Sequence, residues 1–174
     1  MVGAGSTKAA LPAKDLLIRG FLSGALLGFA TSLAITATVQ SGVPLVGALV
    51  FPVGFVMIVV LGLELATGSF ALLPLVYADG KLSLSRMLAN FGWVLLGNLI
   101  GSVVYALLFY GALRMSGHTN DASGIAAKIA VIADAKTLGY AKFGGFGILT
   151  AVVKAILCTV ILSAARSSPA SRFI

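Results

Sequence analysis

Of 174 residues, 59% are hydrophobic and only 10% are charged, with a mean hydropathy of +1.09; a soluble domain carries about 25% charged residues, so a soluble globular class is excluded. The net charge of +7 comes from 12 Lys and Arg scattered through termini and loops, without the clustering or aromatic interleaving of a nucleic-acid surface, and nucleic acid is excluded as a partner. One cysteine, Cys158, allows no internal disulfide and no thiolate metal site.

The first 16 residues form a basic segment rich in Ser, Thr and Ala. It has no apolar core of the kind a secretory signal needs. The first span is expected over about 17–39, where Gly20, Gly24 and Gly28 recur every fourth residue. That spacing puts a stripe of small residues on one helix face, along which a second helix can approach closely.

The run from Val43 to Ala78 holds one charged residue, Glu64, in 36 positions. A straight span needs about 20 apolar residues, so the run is too long for one crossing, and it lacks a polar turn that would make two. It yields at GLELATGS, Gly62 to Ser69, with Pro74 after it. The expectation is a helix broken at 64–68, with non-helical backbone at membrane depth. Such backbone is tolerated only where protein buries it or where it lines a cavity, and a broken span is a pointer to a transport site.

A third span is expected over about 87–113, with Gly97 and Gly101 in a second GxxxG and Asn98 between them. Asn98 suits a pore lining and a helix-to-helix hydrogen bond equally. Trp93 and Tyr110 suit interfacial anchoring. In the mixed connection that follows, IAAKIAVIADAK has apolar residues at helical spacing and reads as a short interfacial helix. The lone His118 lies in the polar stretch SGHTND and reads as a solvated loop residue. The fourth span is expected over about 143–165, before a polar, proline-broken tail at 166–174. Lys154, in the middle of that span, reads either as functional or as a snorkelling structural lysine.

With the N-terminus inside, Lys8, Lys14, Arg19, Lys81, Arg86, Arg166 and Arg172 lie on the inner side, against Arg114, Lys128, Lys136 and Lys142 outside. This asymmetry favours both termini inside. No GxSxG, Walker or HExxH pattern is present, so neither an enzyme nor a cofactor is expected.

Four stretches resemble the formate/nitrite transporter family of anion channels. Glu64-Leu65-Ala66-Thr67-Gly68 is similar to the family's acid-Leu-x-Thr-Gly/Ser loop, and FPVGFVMIVVLG to the half-helix before it. GNLIGS, from Gly97 to Ser102, is similar to the third-helix motif, and ADAK with FGGFGILTAVVKAILC to the approach to the fourth helix and the helix itself. The resemblance runs from about Leu17 to Cys158. It implies an all-α membrane protein, an aquaporin-like helical bundle with a broken second helix. Family members have two inverted three-helix repeats, so the second repeat is expected to be incomplete here and the chain truncated after its fourth helix.

The resemblance also implies a function: passage of a small monovalent anion (formate, nitrite, bicarbonate or similar) through a hydrophobic pore with basic mouths. The implied path is Lys136 at the vestibule, Phe51 and Phe55 at the outer constriction, then Leu65, Ala66 and Thr67 at the break, with Thr159 where the family carries a pore asparagine. Gly62, Glu64 and Gly68 would hold the break, and Gly97, Asn98 and Gly101 would pack helices. Ala66 is smaller than the family's usual residue before the threonine. On spacing alone, Phe51 and Phe55 share a helix face as packing or as a gate, Thr67 is a helix cap or a pore donor, and Lys136 is a solvated loop residue or an attractor of anions. The expected partners are small anions, the lipid bilayer and further copies of the chain, a homopentamer by resemblance. The alternative is a non-conducting membrane subunit that assembles with full-length relatives through its glycine-rich faces. The nitrite/bicarbonate branch of photosynthetic eukaryotes, in the chloroplast envelope, or a plasma-membrane location is compatible with this N-terminus.

Overall fold

The computed structural model describes residues 2–115 and 124–167; His118 lies outside them. Among the described residues all regular structure is helical: α1 (Val2–Ala9), α2 (Ala13–Ser41), α3 (Pro44–Val50), α4 (Pro52–Val60), α5 (Ala66–Ala78), α6 (Leu84–Met115), α7 (Ile125–Lys136), α8 (Leu138–Ala141) and α9 (Gly144–Ser167). Helices α2 and α6 are each long and apolar enough to cross a membrane, and α3 to α5 are shorter apolar pieces. The bundle leaves large apolar side chains uncovered, Leu107 and Leu108 at 65% and 69% exposure. Water would penalise that surface at roughly 25 cal/mol per Å², whereas lipid tails do not.

The central contact is α2 against α6, and its closeness comes from the glycines. A Cβ on Gly24 would overlap the backbone of Asn98, and one on Gly101 would overlap the carbonyl of Phe21. Gly20 and Gly97 meet at the same crossing, while Gly28 lies under the Tyr105 ring. The two small-residue stripes therefore face each other, and Ser32 and Tyr105 close the seam with a hydroxyl–hydroxyl bond of 2.6 Å.

Pro52 has no N–H, so the entering rod is interrupted at Phe51 between α3 and α4. It ends at Gly62, whose φ of 63° is left-handed. There Gly62 N donates to the Val59 carbonyl and Leu63 N to the Ile58 carbonyl, the paired bonds of a Schellman end. The break lies at Leu61–Leu65, earlier than the 64–68 expected, and Thr67 and Gly68 sit in the first turn of α5. The sequence reading also assigned no element before residue 17. The structure instead places α1 there, packed on α5 and α6, with Gly5 close against Leu72 and Val76. The stretch IAAKIAVIADAK is helical, as α7, and packs on α2.

Candidate functional site: the break between α4 and α5

Leu63, Glu64 and Leu65 run as non-helical backbone in the middle of apolar sequence. Each polar group there needs a partner that lipid cannot provide. Asn98, on the α6 face of the α2–α6 seam, supplies partners to the Glu64 carbonyl and to the Ala66 N–H that follows the break. Its Oδ1 accepts from the Ala66 N–H at 2.9 Å, capping the first residue of α5. Its Nδ2 lies 3.0 Å from the Glu64 carbonyl, 2.9 Å from the Gly20 carbonyl and 2.8 Å from Ser23 Oγ. The Ser23 hydroxyl donates to the Glu64 carbonyl at 2.5 Å, with the Gly20 carbonyl at 3.0 Å. At the outer edge of the break, Arg19 Nη1 donates to the Gly62 carbonyl at 3.3 Å. Asn98 thus joins three segments by hydrogen bonds.

The Glu64 side chain is buried, 3% exposed, and its carboxylate pairs with Lys8 Nζ at 2.5 Å. Lys8 arrives on α1, and its carbonyl accepts from Asn90 Nδ2 of α6 at 3.3 Å. A carboxylate at this depth is costly unless it is paired, and the pairing turns its charge toward α1. Sequence reasoning missed Lys8 and Ser23. Ser23, beside Gly24 in the small-residue stripe, carried a faint local signal, but Lys8 carried none, because its partner is 56 positions away.

At the start of α5, Gly68 N and Ser69 N both donate to the Leu65 carbonyl, at 2.9 and 3.1 Å, and Ala66 N is taken by Asn98. Among the described residues, the Thr67 N–H is the first-turn donor without an acceptor, and the half-buried Thr67 hydroxyl stands on the same residue. Ala66 itself is buried against Leu16 and Val94.

Phe51 and Phe55 meet edge to face, with ring centroids 5.5 Å apart, and both are half-buried. Phe51 also lines an open cleft of about 170 Å³ with Thr31 and Thr38 of α2 and Lys128 and Ile132 of α7. Both threonine hydroxyls donate back into their own helix. Lys136 is exposed at the last position of α7 and does not line this cleft; the lysine brought to Phe51 is Lys128. Lys154 of α9 is exposed, with Nζ 3.2 Å from the Tyr140 hydroxyl and 5.3 Å from its ring centre. Thr159 lies on the α9 backbone, and its side chain is outside the described residues. Among the described residues no cluster of metal-ligating side chains occurs.

Residues 1–169 match the family model described as Formate/nitrite transporter. The chain is 35% identical over 114 residues to the "Uncharacterized transporter YrhG" of Bacillus subtilis (62% of this chain, 43% of that one). It is 31% identical over 134 residues to the "Formate channel BtFdhC" of Bacillus thuringiensis (72% and 52%). It is 32% identical over 149 residues to the "Probable formate transporter" of Methanothermobacter thermautotrophicus (80% and 52%). The chain spans about half the length of these curated relatives, and no solved structure matches it. A break clamped at the glycine seam of an all-helical apolar bundle, and a family match over nearly every residue, lead to one conclusion: the chain belongs to the formate/nitrite transporter family.

Proposed function

We propose that the chain walls a channel for a small monovalent anion, formate or nitrite first, with Thr67 as the donor the anion meets at the break. The observation that carries this reading is the donor arrangement at the start of α5. Asn98 and Leu65 occupy the neighbouring first-turn N–H groups. The Thr67 N–H and hydroxyl remain, at the positive end of a helix. Glu64 would repel an anion, but its carboxylate is held by Lys8 on the α1 side. Two of the relatives named above carry formate in their names, which supports the anion class.

Ahead of the break the proposed path passes Phe51 and Phe55. Their rings offer no hydrogen bond, so bare charge is penalised there and the neutral, protonated acid passes more readily. Lys128, beside Phe51, and Lys136, farther along α7, raise the local anion concentration at the mouth. Leu65 and Thr159 complete the proposed lining. Four crossings, at 17–39, 43–78, 87–113 and 143–165, with both termini inside, and assembly as a homopentamer in the bilayer, belong to the same reading.

Reconstitution of the chain into liposomes, with uptake of labelled formate and nitrite, tests it. The wild type is expected to exceed protein-free vesicles. Thr67→Val, which keeps the shape and removes the hydroxyl, is expected to lower uptake about tenfold for the loss of one donor to a charged group of roughly 1.5 kcal/mol. Equal uptake by the variant removes Thr67 from the path. No uptake by either protein, with flux restored on co-assembly with a longer relative, favours the assembling-subunit reading instead.

A further inference from the structure

The α5–α6 contact has a regular apolar register with one polar level in it. Ala66 of α5 shares a buried cluster with Val94 of α6, and Leu73 of α5 shares another with Met87. The two helices run antiparallel, so Ser69, between Ala66 and Leu73, stands level with Asn90, between Val94 and Met87. Helix α1 reaches the same junction. Ala9 packs on the Leu72–Leu73 cluster and Leu11 on the Ala66 cluster, and the carbonyl of Lys8, the residue before Ala9, accepts from Asn90.

Ser69 is fully buried and Asn90 is 4% exposed. Among the described residues, Ser69 Oγ and Asn90 Oδ1 are the buried side-chain atoms without a hydrogen-bond partner. The amide cannot be turned to relieve this, because Nδ2 is the group that donates to the Lys8 carbonyl. What remains is one hydroxyl donor and one amide acceptor on facing positions, both out of reach of solvent. Leaving both unmade costs about 1–3 kcal/mol each, and such pairs in protein interiors are bridged by ordered water.

We infer that a buried water molecule is a fixed component of the junction of α1, α5 and α6, accepting from the Ser69 hydroxyl and donating to Asn90 Oδ1. No anion fits this site, since Asn90 presents an acceptor. A metal cation is disfavoured by the Lys8 ammonium carried on the same helix turn. The water extends the polar seam that begins at Asn98 and Ser23 and passes through Glu64 and Lys8. Through Asn90 it links the end of α1 to the first turn of α5. Its role is positional and does not depend on the transport reading.

The sign of one substitution tests this. If the Ser69 hydroxyl holds a water, Ser69→Ala in the full chain lowers the apparent unfolding midpoint in detergent by about 2–4 °C, the shift for one lost net hydrogen bond in a chain of this size. If the hydroxyl has no partner, the alanine relieves a desolvated group and the midpoint stays level or rises, which overturns the inference. Asn90→Ala and the double variant complete a cycle: coupled shifts support a shared water, and additive shifts refute it. Should the variants fail to fold, a high-resolution density map of the wild type decides. A peak 2.7–3.2 Å from both atoms supports the water; a dry contact or a direct Ser69–Asn90 bond rules it out.

Discussion

At the residue scale the break is governed by Asn98 and by the pair Lys8–Glu64. Asn98→Leu preserves the approximate volume while leaving the buried Ala66 N–H without its acceptor and taking one donor from the Glu64 and Gly20 carbonyls, which keep the Ser23 hydroxyl. At about 1–3 kcal/mol for each buried group left unpaired, this variant should be among the most destabilising single changes in the chain. Fluorescence of the sole tryptophan, Trp93, during thermal unfolding checks it, with Leu99→Ala on the exposed side of the same helix as the control. A midpoint no lower than the control's would show that the clamp is not what holds the break. Glu64→Gln leaves the Lys8 ammonium without its carboxylate in a part-buried site, 14% exposed. Breaking a fully buried pair costs about 3–5 kcal/mol, and the partial exposure of Lys8 lowers that. The double variant Lys8→Met/Glu64→Gln is expected to regain part of the loss. If the two single changes simply add, the pair contributes no coupling.

At the element scale the α2–α6 seam makes glycine substitutions change sign with position. Alanine is the better helix former by about 1 kcal/mol, so Gly92→Ala and Gly111→Ala, where a Cβ meets nothing within 4 Å, should stabilise or be neutral. Gly24→Ala and Gly101→Ala place the same methyl into opposing backbone. They should destabilise by about 1–3 kcal/mol, since backbone cannot rotate away as a side chain does. Ranking the four variants by unfolding midpoint in one detergent tests the seam, and a uniform effect at all four sites would refute it. Helix α5 depends on this seam as well, because the Asn98 that caps it is the residue Gly24 makes room for.

At the scale of the whole molecule, α6 is one uninterrupted helix from Leu84 to Met115, long enough to carry the chain across about 30 Å of hydrocarbon. Residues on either side of it should therefore face opposite compartments. In a Cys158→Ser background, Ser83→Cys and Ala135→Cys, both at exposed positions, should react with an impermeant thiol reagent added to opposite sides of sealed vesicles. Reaction from the same side would contradict the crossing. The proposed orientation, with both termini inside, puts Ser83 on the inner side.

The sequence by itself determined what depends on neighbours a few residues apart. Apolar runs fix where helices lie, the glycine spacing every fourth residue predicts which faces approach closely, and Gly62 with a lone acid marks where the second rod must give way. These signals are local, because a helix repeats over four residues. Only the tertiary structure decided what holds the break together. Lys8 meets Glu64 across 56 positions, Asn98 reaches Gly20 across 78, and Lys128 rather than Lys136 comes to Phe51. No local pattern encodes those distances. They follow from how closely α2 and α6 pack, which sets the depth of Asn98, and from α1 folding back onto α5, which a short run of small residues did not announce.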